Sequence, residues 1–324
     1  MRAPIRKVKF ASSCIYHLKV QPIRVFLTIL FCFFLIQGKA QPAGKEKIYQ
    51  GLILDEVMVK AVQQGFDVPS FIVKIKKDTT FYKAFKTLRL ASYTMYNDIE
   101  ILDKKGGVKA SLNSITHQES VNRCRTMKVV REKVTGDFYN RKKEYQYYTA
   151  RLYAHLFFTQ GKICNESNIV GNVTYKGTTK YEEQLRILIF NPGQRIKGIP
   201  GIGENVAIFE QPTMRKYKFY LSRQMYNGDD CYVFTAKPLP QKAEDVVINE
   251  LRTWIRVKDD AIVARNYSLS FHTWFYDFDV DMKVKLKPVR QGLVPYEIYY
   301  KGNWHVFGKS REIANFTAIF SDFE

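Results

Sequence analysis

Three acidic residues at alternate positions, Asp277, Asp279 and Asp281, are the first candidates for metal binding in this sequence. A calcium loop carries acids with this spacing, but it also requires glycine at its sixth position and glutamate at its twelfth. The residues at those positions here are Met282 and Pro288. In a β-strand, successive carboxylates of this set would lie about 7 Å apart along one face. We therefore predict cross-strand pairing of these acids with lysines and no metal site.

The histidines form no recognisable catalytic motif. The chain contains neither an H-E-x-x-H nor a G-x-S-x-G sequence, which are the signatures of zinc proteases and α/β-hydrolases. His272 and His305 could pair with Cys231 or Asp277, but the sequence alone does not bring them together. We expect no catalytic residues, no cofactor and no enzymatic activity, and a hydrolase has the least support of the functions considered.

The N-terminal 40 residues have the features of a secretory signal peptide. Basic residues precede an apolar run, Val25 to Ile36, and Gly38 and Ala40 occupy the −3 and −1 positions of a cleavage site before Gln41. As a helix, the run would span about 18 Å, which is short of the roughly 30 Å hydrocarbon core of a bilayer. We predict export through a cleaved signal peptide, to the periplasm or the outer membrane, with an uncleaved signal anchor as the alternative.

Three cysteines remain after cleavage: Cys124, Cys164 and Cys231. An oxidising compartment permits one disulfide and leaves one thiol. Their wide spacing, without a C-x-x-C sequence, does not match a zinc site. Buried thiols and one structural disulfide are both compatible with the sequence, and Cys124 with Cys164 is the pair that we favour.

The strongly basic composition favours anionic partners. Of the 51 Lys and Arg residues, 7 lie in the first 40 residues, which hold no acid, and the remaining 44 exceed the 31 acids by 13. Lipid head groups, polysaccharides and nucleic acids could all be attracted by this charge. The basic stretch 123–143, followed by Tyr145, Tyr147 and Tyr148, could bind single-stranded nucleic acid. Export makes nucleic acid an unsuitable partner, and the lysines of this stretch can be explained as protection of exposed strand edges. We therefore expect an anionic envelope surface as the partner.

The segment Asp277 to Leu286 predicts a β-strand with one buried and one solvated face, because apolar and polar residues alternate throughout it. Similar segments, separated by turn residues, recur every eight to twelve residues to the end of the chain and predict a large antiparallel sheet. The predicted strands are 217–222, 231–237, 246–257, 261–271, 273–286, 295–300, 304–307 and 311–320, with Lys301–Gly302–Asn303 as a turn.

The first half of the exported chain mixes strands with helices. We predict a strand in the segment 51–59, a helix 71–77 capped by Ser70, and a helix through Phe81, Phe85 and Leu88 capped at residues 78–80. A hairpin 98–102 and 108–115, strands 127–134 and 145–158, a helix 181–190 and a glycine-rich loop 198–203 follow. The helices must cover one face of the sheet, which predicts a single α+β domain over residues 41–324.

Three segments carry a family resemblance: Cys231 to Pro238, Arg252 to Ile255, and Asp259 to Arg265. They resemble the LolA/LppX-like outer-membrane lipoprotein-sorting proteins, best over residues 213–324 and elsewhere only in the order of elements. The resemblance implies a large, curved antiparallel β-sheet, a half-barrel, with covering helices on the concave face and acyl chains between them. The family's function resides in the shape of its cavity, so no individual residue is carried over.

Together these observations predict an exported envelope protein that binds a lipid, a lipid-anchored protein or another apolar ligand. An alternative is a non-catalytic structural or interaction protein that docks a partner at a sheet edge or through its basic face. A cavity would favour the first function, and a packed interior with an exposed apolar patch the second. The candidate lining residues, which could also simply contact the covering helices, are Trp254, Tyr267, Phe278, Val280, Met282, Val284 and Leu286.

Overall fold

The computed structural model of this protein describes residues 52–168, 188–196, 202–273, 276–306 and 310–324. The predicted signal peptide, residues 1–40, lies outside the described residues. So do most of the predicted helix 181–190, of which residues 188–190 are described and helical, and most of the predicted loop 198–203.

The described elements are short helices in the first half of the chain and long strands throughout. The α-helices are α1 (Glu56–Gln63), α2 (Val68–Lys77), α3 (Thr80–Thr87) and α4 (Tyr148–Phe157). The first strands are β1 (Leu52–Leu54), β2 (Tyr93–Leu102), β3 (Val108–Val121), β4 (Cys124–Thr135) and β5 (Ile163–Cys164). The later strands are β6 (Tyr217–Tyr226), β7 (Asp229–Pro238), β8 (Ile248–Arg256), β9 (Ile262–His272), β10 (Tyr276–Val289), β11 (Gly292–Val306) and β12 (Glu312–Ser321). None of the described helices is long and apolar enough to cross a bilayer.

All twelve strands belong to one open, curved sheet, as the α+β half-barrel prediction requires. Their order is β1-β6-β7-β8-β9-β10-β11-β12-β2-β3-β4-β5. Strands β6 to β12 follow one another as an antiparallel meander, and β12 then pairs with β2. That pairing joins the meander to the hairpins near the N-terminus. The pair β1–β6 is parallel, which the sequence did not predict.

Alternation decides which face of each strand is buried. On β10 the even-numbered residues from Phe278 to Leu286 are buried, as predicted. The helices bury their apolar residues against the same face, so strands and helices share one hydrophobic core. Burying each such side chain stabilises the fold by roughly 1.5–3 kcal/mol.

Aspartates cap the helices that cover the sheet. Asp67 accepts a hydrogen bond from the Ser70 amide at 3.1 Å, so α2 starts three residues earlier than its predicted start. Asp78 accepts hydrogen bonds from the Thr80 and Phe81 amides at 3.2 and 3.4 Å. This second cap confirms the predicted start of α3. Capping satisfies amides that have no partner within the helix.

Residues 145–158 were predicted as a strand, and this prediction was wrong because residues 148–157 form helix α4. The buried residues Ala150, Tyr153, Ala154 and Phe157 have the i, i+3, i+4, i+7 spacing of a helical face. The many tyrosines suggested a strand, since aromatic residues are enriched there. Periodicity was the better signal.

The segment 51–59 was also predicted as a strand, but only residues 52–54 form one. Asp55 accepts a hydrogen bond from the Met58 amide at 2.8 Å and starts α1. Met58 is buried while Val57 and Val59 are exposed, so the three residues occupy different sides of a helix. The cap outweighs the β preference of the two valines.

Residues 301–303 were predicted as a turn, but strand β11 runs through them without a break. Gly302 is needed there because Tyr300 and Trp304 point to the same side and meet above it, with Trp304 Nε1 donating to Tyr300 Oη at 2.5 Å. A Cβ atom on residue 302 would collide with the Tyr300 hydroxyl and lie 2.7 Å from Trp304 Nε1. The glycine makes room for two neighbouring rings.

The predicted disulfide is present. Cys124 and Cys164 are paired across β4 and β5 with an S–S distance of 2.09 Å. Cys231 is a buried free thiol. The bond closes a loop of 40 residues, which restricts the unfolded chain.

The mature protein, residues 41–324, is expected to show one thiol under denaturing conditions before reduction and three after it, measured with a thiol-reactive chromophore. Replacing Cys164 by alanine should lower the free energy of unfolding by about 2–4 kcal/mol, because it opens the closed loop. The double variant C124A/C164A should lose the same amount. Three reactive thiols before reduction would contradict the pairing.

Candidate ligand-binding face

The structure brings six of the seven predicted lining residues together on the concave face of the sheet. They are buried in the main core: Tyr267 on β9, and Phe278, Val280, Met282, Val284 and Leu286 on β10. Tyr267 and Met282 are cross-strand partners, and Tyr267 Oη lies 2.9 Å from Met282 Sδ. Their common face was predicted correctly, and their contact with a ligand stays a prediction.

Trp254 does not lie with the other six. It belongs to a separate cluster on the opposite, convex face, together with Cys231 and Val233. On β8, residues 253 and 254 point to opposite sides, and Thr253 is the one paired with Arg265 near the other lining residues. Trp254 therefore cannot line the same site as Tyr267.

Helix α3 covers the concave face with aromatic rings. Phe81 lies 6.4 Å from Tyr267 between ring centroids, and Phe85 lies 4.7 Å from Phe190. The Tyr267 hydroxyl donates to the Ile189 carbonyl. Burial raises the pKa of Tyr267, so its hydroxyl keeps the proton that it donates. The predicted lining is thus filled by the chain's own side chains in this state.

The aromatic surface continues onto β11 and β12. The Phe278 and Trp304 rings are 4.8 Å apart, and Tyr300 stacks on Phe316 at 4.5 Å. Aromatic pairs contribute about 0.5–1.5 kcal/mol beyond the area that they bury. A broad apolar surface therefore extends from β9 to β12 beneath the helices.

A cleft of about 680 Å³ opens where α2 is joined to α3. Its walls are residues of α2 and the connection Asp78–Thr80, and they carry the cations Lys74 and Lys77. At its edge Lys74 Nζ lies 2.5 Å from Asp260 Oδ2, which joins α2 to the turn between β8 and β9. Both partners are largely exposed, so the ion pair stabilises this contact by less than about 1 kcal/mol.

Two buried arginines differ in how their charge is balanced. Arg125 Nε lies 2.6 Å from Glu166 Oε2, and its Nη1 donates to Gln118 at 3.3 Å. Arg265 lies on β9 and is 5% exposed. Its Nε donates to Thr253 Oγ1 at 3.0 Å. Among the described residues, no carboxylate comes within salt-bridge distance of Arg265.

Arg265 lies directly beneath α3. Its guanidinium carbon is 4.4 Å from the centroid of the Phe81 ring. Burial lowers the pKa of Arg265, and the negative charge of Asp78 opposes that shift. We did not single out this residue in the sequence, although Arg265 and Tyr267 have the same parity on β9. Alternation was therefore the signal that could have placed it on the buried face.

Asp277 and Asp279, two of the acids considered as metal ligands, lie near the start of β10. His272 Nδ1 is 3.1 Å from Asp277 Oδ1, and His272 Nε2 is 3.5 Å from Asp279 Oδ1. Arg311 donates to Asp277 Oδ2 at 2.5 Å. Among the described residues, the side chains that pair with these two acids are thus Arg311 and His272, and the prediction of lysine partners was wrong for both acids.

The spacing of His272, Asp277 and Asp279 would allow them to coordinate a cation, since their ligand atoms lie within 4.8 Å of one another. Arg311 already supplies positive charge to Asp277 and holds the pKa of that carboxyl below its usual value, with a smaller contribution from His272. The cluster is therefore explained by the ion pairs within it.

Neither a family model nor a curated protein matches the sequence. Among solved structures, the chain is similar to a domain from Vibrio parahaemolyticus assigned to outer membrane lipoprotein-sorting proteins. That match has 8% identity and a TM-score of 0.25, and it covers 75% of this chain and 90% of the other. This is the same group that the three sequence segments resemble.

Two further structures match this chain with lower TM-scores. A DUF1329 family protein from Desulfovibrio piger has 9% identity and a TM-score of 0.22, with 76% of this chain and 93% of the other covered. A lipovitellin structure described for its lipid–protein interactions has 6% identity and a TM-score of 0.19, with 72% and 25% covered. At these TM-scores, the functions of those proteins are not transferred to this chain.

Replacing Arg311 by glutamine is expected to lower the free energy of unfolding at pH 7 by about 0.5–1 kcal/mol. The pKa of Asp277 is lowered in the folded state, so its contribution is present above the ordinary value of 3.8 and is lost as the pH falls below it. Urea unfolding at pH 7, 5 and 3 should show wild type and variant converging at the lowest pH. Arg290→Gln, in the exposed turn after β10, is the control. A difference that grows toward pH 3 would contradict this account.

Proposed function

We propose that this protein is exported to the cell envelope and binds a lipid or another apolar ligand on the concave face of its sheet. The observation that carries the proposal is the broad apolar surface from β9 to β12, which is closed by short helices instead of a second sheet. Among the described residues, no backbone-to-backbone hydrogen bond joins α2 or α3 to the sheet. These two helices can therefore be displaced more readily than paired strands.

Export is supported by two independent features. The N-terminal 40 residues have the composition of a signal peptide. The Cys124–Cys164 disulfide fits an oxidising compartment, whereas disulfides are rare in the cytosol. We infer a periplasmic or outer-membrane-associated protein, and its positive charge suits an anionic envelope surface.

Ligand entry is proposed to occur at the α2–α3 corner. The 680 Å³ cleft lies there, and Phe81 follows directly after the residues that form its wall. Moving α3 outward would withdraw Phe81 and Phe85 and expose Tyr267 and the apolar residues of β10. An acyl chain in their place would regain about 0.8 kcal/mol for each methylene that it buries. No catalytic group is needed for this function.

A second candidate function is docking of a partner at β4. Val129 and Val130 are 59% and 65% exposed, and the cations Lys128, Arg131 and Lys133 flank them. Beyond the two residues of β5, no strand among the described residues pairs with this edge. An unpaired edge with exposed valines can add a strand of another protein, and its cations would favour an acidic one.

Native mass spectrometry of the mature protein, purified from the envelope of its producing cell, tests the proposed function. We expect a stoichiometric lipid adduct, which extraction of the same sample would identify. An apo mass, together with no uptake from mixed lipid vesicles on incubation, would contradict lipid binding and favour docking at β4.

Replacing Lys74 by alanine should raise the rate of lipid uptake about two- to fivefold. The variant removes the exposed ion pair with Asp260 that joins α2 to the sheet, and such pairs contribute about 0.2–1 kcal/mol. Stopped-flow fluorescence with a polyene fatty acid would measure the rate. Lys60→Ala, which removes an ion pair within α1, should leave it unchanged. An equal acceleration in both variants would contradict opening at the α2–α3 corner.

A further inference from the structure

Arg265 has the features of an anion-binding group in an apolar interior. Its guanidinium is always charged at physiological pH, because the pKa of arginine remains far above 7 even when burial lowers it. Removing such a charge from water costs several kcal/mol unless an opposite charge or hydrogen-bond acceptors replace the water. Thr253 Oγ1 is one acceptor, and a guanidinium has five N–H donors.

The other buried arginine shows what a complete set of partners is in this fold. Arg125 is 8% exposed, yet it binds the Glu166 carboxylate through Nε and two neutral oxygens, Gln118 Oε1 and Thr159 Oγ1, through Nη1. Arg265 is buried at least as deeply and lacks the carboxylate within the described residues. A free anion would supply what Glu166 supplies to Arg125.

The surroundings of Arg265 suit an anion attached to an apolar chain. On β10 its cross-strand partner is Val284, and two residues along its own strand is Tyr267, so apolar surface begins directly beside the guanidinium. The ring of Phe81 covers the other side. Phe81 directly follows Asp78–Thr80, which form part of the cleft wall. The ring that covers the guanidinium is therefore adjacent in sequence to the cleft.

We propose that Arg265 binds the anionic head group, a carboxylate or a phosphate, of an amphiphilic ligand whose apolar chain extends along β10. This inference rests on the proposed function and names the chemical class of its ligand. The head group lies innermost and displaces Phe81 from the guanidinium. Thr253 keeps Nε in place, so the Nη atoms face the anion. The chain then covers Val284, Met282 and Val280.

The proposal predicts that an acid is preferred to a neutral lipid. A neutral ester offers acceptors but no charge, so it would leave the guanidinium without a carboxylate or phosphate in direct contact. Hydrogen bonds between charged groups contribute about 1.5–3 kcal/mol each. One such bond corresponds to about a tenfold or larger preference for the acid over the ester.

The test compares cis-parinaric acid with its methyl ester on the mature protein, by fluorescence titration at pH 8. Wild type should bind the acid at least tenfold more tightly than the ester. Arg265→Met should lower the affinity for the acid to that for the ester and leave the ester unchanged. Lys104→Met, which removes an exposed cation from the turn between β2 and β3, should keep the preference of wild type.

Each result separates the head-group site from the proposed function. Equal affinities of wild type for acid and ester overturn the role of Arg265 while lipid binding stands. Binding of neither probe contradicts the proposed function and this inference with it. If Arg265→Met does not fold, the comparison in wild type and in Arg265→Lys, which keeps the charge, still decides the question.

A final arm distinguishes an amphiphile from a free anion. Lysophosphatidic acid should displace cis-parinaric acid at micromolar concentration, since it carries a phosphate on an acyl chain. Inorganic phosphate should not displace it at a thousandfold higher concentration. Displacement by inorganic phosphate at the same concentration as lysophosphatidic acid would show that Arg265 binds small anions and would overturn the amphiphilic ligand.

Discussion

The constraint on which this structure depends is that the described strands form one open sheet with an extensive apolar face, and no second sheet within the described ranges covers it. Helices α1 to α4, the helical residues 188–190 and loop segments do so instead. Each helix contributes one apolar stripe, as Phe81, Ala84, Phe85 and Leu88 do for α3 and its end. Exclusion of water from the concave face therefore depends on small elements, while the strands are held by continuous ladders of backbone hydrogen bonds.

Polar groups in the interior divide the molecule into two regions. Under β2 and β3, Asn97 receives the Tyr153 hydroxyl at 2.8 Å, and Gln118 donates to the Leu88 and Ala91 carbonyls at 2.8 and 2.9 Å. These groups tie α4 and the end of α3 to the sheet and leave few donors unused. Under α2 and the start of α3, the interior is aromatic, and Arg265 has no described carboxylate within salt-bridge distance there. The polar groups of the first region satisfy one another, whereas the second region is the one that we propose binds an anion.

The two faces of the sheet also differ in the side chains that they carry. The convex side carries the ion pairs among His272, Asp277, Asp279 and Arg311, which satisfy one another at the surface. Such exposed pairs contribute little to stability. The concave side holds apolar surface and Arg265, which has no carboxylate within salt-bridge distance among the described residues. The proposed function therefore belongs to the concave face, although the convex face has more charged groups.

The sequence by itself determined strands such as β10 and the β2–β3 hairpin, because alternation of apolar and polar residues is a local property that a neighbour can only reinforce. It also determined the start of α3, since a capping aspartate acts on amides two or three residues away. Only the tertiary structure decided that Trp254 faces away from Tyr267, because the pairing of β8 with β9 places Tyr267 opposite Leu251, three residues before Trp254. It alone decided that Arg265 has Thr253 and Phe81 as neighbours and no described carboxylate within salt-bridge distance. Those contacts join residues far apart in the chain, and no local pattern specifies which of them meet.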